Sequence, residues 1–235
     1  MEKTYNKLVK GIKNYFKKSG FKKAVIGLSG GIDSALSLRL VSDAIGNKNI
    51  TAILMPEKGL TKLVNVEDSI NLCKSLKVSY KIIEINKILN NFKKIKIKQN
   101  KDSWTNTKAR IRAAILYNFA NANKALVVGT SNKIEIILGY FTKYGDGAVD
   151  LEVIGSLYKT EVFKLSEYLN LPKEIINKTP SAELFKGHTD ESEIGASYDT
   201  IDKILRANKF NSEIGKKLKR RIDANKHKSS MPPVI

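Results

Sequence analysis

The sequence predicts an α/β fold, with a doubly wound parallel sheet that carries helices on both of its faces. Two observations support this prediction. Short apolar runs of strand length recur along the chain, namely Ala24–Leu28, Ile50–Met55, Val78–Ile85 and Ala125–Val128. Stretches with apolar residues at helical spacing separate these runs. Nearly continuous apolar strands that alternate with helices are typical of a parallel sheet buried on both faces.

The helices are predicted from apolar residues that recur every three or four positions. One such pattern begins near the N-terminus, and others follow the first two strands or precede the fourth. Their apolar positions are Tyr5, Leu8, Val9, Ile12 and Phe16; Leu36, Leu40, Val41 and Ile45; Val66, Ile70 and Cys73; and Ile111, Ala114, Ile115, Phe119 and Ala122. In such a sheet, crossovers are right-handed and ligands bind beyond the carboxyl ends of the strands.

A length of 235 residues fits one domain or a domain with a small appendage, and we expect a single domain over residues 1–235. The 42% of apolar residues are enough for a core. No apolar run approaches the ~20 residues of a membrane helix. The start, Met1-Glu2-Lys3-Thr4, does not resemble a signal peptide. Cys73 is the only cysteine and lies in an apolar helical pattern, so a buried thiol is expected rather than a disulfide framework. We therefore expect a cytoplasmic protein without a membrane partner.

The net charge of +19 raises the question of nucleic-acid binding. Only six of the 42 basic residues are Arg, although Arg is the better residue for bidentate contact with phosphate. The Lys residues are spread out apart from two stretches, around residues 93–98 and 216–221, and a solvated helix face explains the second of these without a partner. We expect no nucleic-acid partner, although a basic surface should attract anionic substrates such as nucleotides.

A glycine-rich loop, Gly27-Leu28-Ser29-Gly30-Gly31-Ile32-Asp33-Ser34, joins the first predicted strand to a helix. Glycines let a backbone approach a phosphate closely, and the first helical N–H groups donate to it. The loop lacks the Lys of the common P-loop. Asp33 would repel a phosphate unless a divalent cation lies between them. A capped turn without a ligand is the alternative. The Ser-Gly-Gly-x-Asp-Ser pattern resembles the N-type ATP pyrophosphatases, which split ATP between its α and β phosphates.

A second strand end, Gly129-Thr130-Ser131-Asn132, also precedes a helical pattern. Thr130 could bind a nucleotide, and Glu135, one helical turn beyond Asn132, could ligate a metal. Alternatively, Ser131 or Asn132 caps the helix and Glu135 stabilises its first turn. Spacing alone does not favour either interpretation.

Residues 139–150 read Gly-Tyr-Phe-Thr-Lys-Tyr-Gly-Asp-Gly-Ala-Val-Asp, which matches no regular element. The aromatic rings offer stacking surfaces, Lys143 offers charge, and Asp146 and Asp150 can bind a hydroxyl or an amine. A surface turn with aromatic anchors is the alternative. The density of polar groups favours a ligand-binding loop.

The stretch 179–195 is the most acidic part of this basic chain. His188, Asp190 and Glu191 could bind a metal. A solvated loop and a helix start is the commoner arrangement, with a cap formed by Thr189 and Ser192 and acids in the first turn. A mobile lid is a third possibility. Near the C-terminus, His227-Lys228 lies in a polar tail, where a solvated side chain is usual.

With these blocks placed, most of the chain resembles the ammonia-dependent NAD synthetases. The matching motifs are Ser29–Ser34, Met55-Pro56, Gly129-Thr130 with Glu135, Gly139–Asp150, Leu157-Tyr158-Lys159-Thr160, Pro180-Ser181-Ala182 and His227-Lys228. The block from Gly139 to Asp150 is far more specific than the ATP loop, which several ligase families share. The resemblance implies a Rossmann-like fold of the adenine nucleotide alpha hydrolase type.

The resemblance implies that the chain makes NAD from deamido-NAD, ATP and ammonia, with Mg²⁺. The nicotinate carboxylate would attack the α-phosphorus of ATP, giving an acyl adenylate and pyrophosphate. Ammonia would then displace AMP. The protein's task would be to align the carboxylate with phosphorus and to neutralise charge on the leaving pyrophosphate.

Site roles are implied residue by residue. ATP would contact Gly27, Leu28, Ser29, Gly30, Gly31, Ile32, Asp33, Ser34, Thr130, Lys159 and Ser181. Mg²⁺ would be held by Asp33 and Glu135. Deamido-NAD would contact Arg110, Lys143, Asp150, His227 and Lys228. The catalytic residues would be Lys159, which supplies the charge that the loop lacks, and Asp146, which would bind ammonium or take its proton.

The chain departs from the family pattern at Phe185 and His188, where many members have Trp and Gln, and at Ser229, where Arg is common. Family members are homodimers with deamido-NAD near the subunit interface, and we expect the same here. The chain has no room for a glutaminase domain, so the nitrogen donor should be free ammonia or ammonia from a separate protein.

Two other functions remain open at this point. Another N-type pyrophosphatase, such as a tRNA-modifying ligase or a nucleotide amidotransferase subunit, would share the ATP loop but not the block from Gly139 to Asp150. A non-catalytic nucleic-acid module would need Arg-rich or aromatic stacking surfaces and would leave Asp33 unexplained.

Overall fold

A computed structural model describes residues 1–179 and 190–234. Within them, the helices are α1 (Glu2–Ser19), α2 (Ile32–Ile45), α3 (Leu63–Ser75), α4 (Asn86–Lys93), α5 (Lys101–Asn123), α6 (Lys133–Leu138), α7 (Lys159–Tyr168), α8 (Lys173–Ile176), α9 (Asp190–Ile194), α10 (Tyr198–Ala207) and α11 (Glu213–Asn225). The strands are β1 (Lys23–Gly27), β2 (Ile50–Leu54), β3 (Ser79–Ile82), β4 (Ala125–Gly129) and β5 (Leu151–Glu152). Short 3₁₀ turns span Asn47–Asn49 and Lys226–Lys228.

The strands form a parallel sheet in the order β3-β2-β1-β4-β5. All four predicted strands are confirmed, and β5 was not predicted. The chain builds outward from β1 to β3 and then returns to the other side of β1 with β4. The strand order therefore switches between β1 and β4, where Ala24 pairs with Leu126. This places the ends of both predicted ligand-binding strands side by side.

Helices cover both faces of the sheet, as predicted. Strand side chains alternate, so that Ile26 faces one core while its neighbour Val25 faces the other. The first core includes residues of α1, α2, α3, α7 and α8, whereas α4 and α5 cover the second face. The predicted first helix buries Ile12 and Phe16, and Cys73 is a buried free thiol, as expected.

A third apolar cluster joins the C-terminal helices to the strand end after β4. It contains Ile134 and Leu138 of α6, Tyr158, Ile201 of α10 and Leu218 of α11. The cluster fixes the N-terminus of α7, where Lys159 lies, against the rest of the C-terminal part. Among the described residues, no helix has both the length and the apolar character needed to cross a bilayer.

Candidate active site

A cleft of about 1050 Å³ opens at the carboxyl ends of β1, β2 and β4. The loop Gly27–Ser34 lies along it, together with Thr130, Glu135 and Lys159. Residues of the block 139–148 line its far side, including Tyr140, Phe141 and Asp146. The two strand ends identified from sequence therefore share one cavity with the aromatic block. Of the predicted site residues, Ser181 lies outside the described residues, as do Phe185 and His188.

The glycine-rich loop is held in shape by its own serines. Ser34 Oγ donates to the carbonyl of Gly31 at 3.0 Å and lies 3.1 Å from Ser29 Oγ. Gly30 has φ of 84°, and a Cβ there would come within 2.4 Å of the carbonyl oxygen of Asn65. Only glycine fits both the left-handed conformation and the close approach of α3. The loop thus directs the N-terminus of α2 into the cleft, where an anion would be stabilised.

Asp33, in the first turn of α2, forms an ion pair with Lys159 at the start of α7. Lys159 is only 1% exposed, and its ammonium also lies 5.2 Å from the centre of the Tyr198 ring. A buried ammonium requires a partner of opposite charge, which Asp33 supplies. The structure therefore brings to the loop the positive charge that the loop sequence lacks.

A second lysine, Lys178, also reaches the loop. Its ammonium is 2.6 Å from Asp68 of α3 and donates to the carbonyl of Gly30 at 3.2 Å. Sequence reasoning missed it, because an isolated Lys after a short helix carries no recognisable signal. Lys178 ties the segment that follows α8 to the loop.

At the second strand end, Asn132 caps α6. Its Oδ1 accepts from the N–H groups of Ile134 and Glu135, and Glu135 Oε2 accepts from the Asn132 N–H at 3.0 Å. The capping interpretation of this segment is confirmed. Glu135 nevertheless lines the cleft, so the capping contact leaves it at the carboxyl end of the sheet.

Asn132 also connects the two predicted metal ligands. Its Nδ2 donates to Asp33 Oδ1 at 3.1 Å, while its backbone N–H binds Glu135. No group of three or more His, Cys, Asp or Glu side chains suited to a metal occurs within the part of the chain that the structure describes. Two carboxylates beside a phosphate-binding loop are the usual protein share of a Mg²⁺ site, because nucleotide phosphates supply further oxygens.

The block from Gly139 to Asp150 forms a tight turn around the carboxylate of Asp146. Asp146 Oδ1 accepts from the backbone N–H of Thr142 at 3.0 Å. Burial raises the pKa of Asp146, although the hydrogen bonds from Thr142 act in the opposite direction. Gly147 lies against the Phe141 ring, where a Cβ would come within 2.3 Å. The turn thus presents aromatic and carboxyl groups to the cleft.

Glu152 of β5 is a half-buried carboxylate beside this turn, and sequence reasoning missed it. Its Oε2 accepts from the Ser131 N–H at 2.9 Å, and its carboxyl group packs on Gly129. Burial raises the pKa of Glu152 to about 7, and the nearby charge of Asp146 adds to this effect. A two-residue strand leaves no periodic signal that would have identified Glu152.

Four of the five predicted deamido-NAD residues meet around the same block. Arg110 donates to the carbonyl of Lys143, whose ammonium donates to the carbonyl of His227 at 2.7 Å. Lys228 donates to the carbonyls of Gly139 and Phe141. Burial lowers the pKa of Lys228, and the charge of Arg221 adds to this effect.

Asp150, the fifth of these residues, lies elsewhere. Its carboxylate accepts from the Val127 N–H at 2.7 Å and from the Tyr117 hydroxyl at 3.3 Å. Burial and this carboxylate raise the pKa of Tyr117 to about 12. Both side chains line a second cavity of about 400 Å³ between the end of α5 and the start of β4. Of the five predicted deamido-NAD residues, Lys228 lines the large cleft and Asp150 lines the second cavity, whereas the other three line neither of these two cavities.

Comparison with known proteins gives a consistent match. The model of the family described as NAD synthase matches residues 4–232. The NH(3)-dependent NAD(+) synthetase of Archaeoglobus fulgidus is 44% identical over 237 residues, covering 99% of this chain and 96% of that protein. The corresponding protein of Methanosarcina acetivorans is 44% identical over 249 residues, covering 99% and 97%.

Solved structures of similar proteins share the backbone of this chain. An NMN synthetase from Francisella tularensis superposes with a TM-score of 0.93 at 32% identity, covering 100% of this chain and 98% of that one. The NH3-dependent NAD synthetase of Campylobacter jejuni superposes with a TM-score of 0.82 at 39% identity, again covering 100% and 98%.

Proposed function

This chain belongs to the NAD synthase family, and we propose that the cleft beyond β1 and β4 is where its reaction takes place. Like the ammonia-dependent synthetases that it matches along its whole length, the chain converts deamido-NAD to NAD with ATP and ammonia. It is a ligase that forms a C–N bond. The observation that carries the assignment of the site is the network of Asp33, Lys159, Asn132 and Glu135 around the phosphate loop.

The triphosphate of ATP lies along Gly27–Ser34, with pyrophosphate at Ser29–Ser34. The N-terminus of α2 and the left-handed turn at Gly30 support this assignment, since both favour an anion. Thr130 and Ser181 complete the ATP contacts. Lys159 exchanges its contact with Asp33 for a phosphate oxygen when the nucleotide binds, because a phosphate carries more negative charge than a carboxylate.

Asp33 and Glu135 hold Mg²⁺. The pair fits the ion, because each offers carboxylate oxygen, both line the cleft, and both hydrogen-bond to Asn132. When bound, the ion neutralises charge on the leaving pyrophosphate. The protein residues orient the α-phosphorus toward the nicotinate carboxylate, which attacks it to form an acyl adenylate.

Deamido-NAD lies across Arg110, Lys143, His227 and Lys228, with Asp150 contacting it from the second cavity. Ammonia then attacks the acyl carbon and AMP leaves. Asp146 takes the proton from ammonium, since only neutral ammonia is a nucleophile. The pKa of Asp146 is raised, which makes this carboxylate a better base than an ordinary aspartate.

The remaining proposals concern the whole chain. The nitrogen donor is free ammonia, or ammonia delivered by a separate protein, and residues 1–235 act as one domain in the cytoplasm. The active form is a homodimer. Because an NMN synthetase shares nearly the same backbone, the acid form of NMN is a second candidate substrate, to be tested beside deamido-NAD.

The decisive experiment measures NAD formation from deamido-NAD, ATP and ammonium, with Mg²⁺ varied. Asp33→Asn and Glu135→Gln should each lower kcat/KM by about 10²-fold or more, because each removes a metal ligand. Asp199→Asn and Glu213→Gln are matched controls, since both acids lie exposed in the first turn of a helix. Full activity in both cleft variants would refute the metal assignment. Faster amidation of the mononucleotide acid than of deamido-NAD would favour the second substrate.

A further inference from the structure

Asn132 is fully buried, with 0% of its surface exposed, and it uses every polar group of its side chain. Its Oδ1 accepts two backbone N–H groups at the start of α6, and its Nδ2 donates to Asp33 at the start of α2. These two helices follow the adjacent strands β4 and β1. One side chain therefore joins two elements whose sequence separation is 99 residues.

The orientation of the Asn132 amide is fixed by its partners. Two N–H donors can face only the amide oxygen, and a carboxylate can face only the amide nitrogen. A serine could cap the helix but could not reach Asp33 as a donor, and an aspartate would cap it but repel Asp33. Asparagine alone caps α6 and holds a neighbouring carboxylate with one short side chain.

Asp33 is thus held from two sides. Asn132 binds Oδ1 and Lys159 binds Oδ2. Glu135 is held by the Asn132 backbone N–H. In the proposed reaction, Lys159 leaves Asp33 for a phosphate oxygen. Asn132 would then still hold Asp33, so that Asp33 and Glu135 both keep their positions relative to Asn132.

We propose that Asn132 is a positioning residue that sets Asp33 and Glu135 for the metal ion of the bound nucleotide. This inference rests on the proposed metal role of these two carboxylates. Groups that orient metal ligands typically change metal affinity by about 10- to 100-fold when they are removed. The expected defect is therefore specific to the metal-bound nucleotide.

The test compares ATP affinity in EDTA with ATP affinity in saturating Mg²⁺, by calorimetry on the full chain. Asn132→Ser should raise the Kd for ATP about tenfold in Mg²⁺, and less than twofold in EDTA. Asn100→Ser is the matched control, because Asn100 caps α5 with the same capping-box geometry and is exposed. It should change neither value. A merely structural effect would weaken both measurements equally.

Two further variants separate this inference from the proposed function. If Asp33→Asn and Glu135→Gln leave the Mg²⁺ effect on ATP binding unchanged, the proposed metal site is wrong. If those variants abolish the effect while Asn132→Ser preserves it, the role of Asn132 is wrong. If Asn132→Ser does not fold, Asn132→Thr, which can also cap α6, takes its place. The same two outcomes then decide between the metal site and the role of Asn132.

Discussion

Lys159 is a charged side chain that the fold buries almost completely. It is 1% exposed, and it begins α7 directly after Tyr158, whose ring contacts both Lys133 and Arg206. Burying an ammonium is costly unless it is paired, and the pair with Asp33 offsets that cost. An apolar side chain would fill this buried position at a lower cost than a paired ammonium. We therefore propose that Lys159 serves the reaction rather than the packing.

Lys159→Gln should lower kcat by about 10²- to 10³-fold, because it removes a positive charge from the leaving pyrophosphate. Lys164→Gln, which changes an exposed Lys of the same helix, should leave kcat within twofold. Pyrophosphate release under saturating substrates measures the effect. Activity within tenfold of the unchanged protein in Lys159→Gln would contradict the assigned role.

Glu152 should make folding stability depend on pH. Its pKa is raised from 4.5 to about 7 in the folded chain, so the folded state disfavours the charged form. The contribution of Glu152 to the free energy of unfolding is fully present below about pH 4.5 and is lost as the pH rises through 7. At about 1.4 kcal/mol per unit, the loss approaches about 3 kcal/mol by pH 8.

Glu152→Gln stays neutral and should not show this loss. The free energy of unfolding of the unchanged chain, relative to that of the variant, should therefore fall between pH 5 and pH 8 in urea titrations. Glu174→Gln, on the exposed surface of α8, is the control and should follow the unchanged chain. Parallel curves for the unchanged chain and Glu152→Gln would contradict the raised pKa.

At the scale of elements, patterns with many repeats were predictable from sequence. The four longer strands follow from their continuous apolar runs, the first helix follows from the period of its apolar residues, and the loop after β1 follows from its glycines. β5 is two residues long, so no period exists to detect. Lys178 contacts the loop after β1, and Glu152 contacts the segment after β4. Both contacts arise from tertiary packing, which a single sequence does not reveal.

The capping of α6 shows a different limit of prediction from sequence. Sequence spacing allowed two interpretations: Thr130 and Glu135 as nucleotide and metal groups, or a helix cap at Ser131 or Asn132 with Glu135 in the first turn. The structure has the cap, and the same residues line the cleft or contact Asp33. The two interpretations are compatible because a capping box uses only part of each side chain.

The loop after β1 allows a sharp test of its geometry. Gly30→Ala adds a Cβ that would lie 2.4 Å from the carbonyl of Asn65, at φ of 84°. Gly20→Ala has nearly the same φ, 77°, but no atom within 4 Å of the added Cβ. Both variants carry the left-handed cost of about 1 to 2 kcal/mol, and only Gly30→Ala adds the collision.

We therefore expect Gly20→Ala to lower the free energy of unfolding by about 1 kcal/mol with ATP affinity unchanged. Gly30→Ala should weaken ATP binding at least tenfold, because the loop must move away from α3. Urea unfolding and calorimetry measure the two effects. Equal ATP affinity in the two variants would show that the close packing on Asn65 does not shape the phosphate site.

At the scale of the whole molecule, the two sheet faces are covered unequally. Residues of α1, α2, α3, α7 and α8 join the core on one face, and α4 and α5 cover the other. Residues 113–123 of α5 contain no charged side chain, although 28% of the chain is charged. Ala114 and Asn118 of this half are exposed. An uncharged exposed helix surface is typical of a subunit interface.

The position of the second cavity also favours a subunit interface at the uncharged half of α5. It is bounded by the end of α5, by Phe21 before β1 and by Asp150, one of the residues predicted to contact deamido-NAD. Asp150 is separated from the other four predicted deamido-NAD residues, which gather around the block from Gly139. A dinucleotide that extends toward a subunit interface would account for residues in both places.

We therefore expect a mass in solution of twice the 26.2 kDa chain, measured by light scattering after size exclusion. Ala114→Arg places a long charged side chain on the uncharged half of α5 and should give a monomer that binds deamido-NAD at least tenfold more weakly, because burying an unpaired charge opposes association. Ala207→Arg, at an exposed position of α10, should remain dimeric and active. An unchanged chain that is fully active as a monomer would refute the dimer, and a dimeric Ala114→Arg variant would move the interface away from α5.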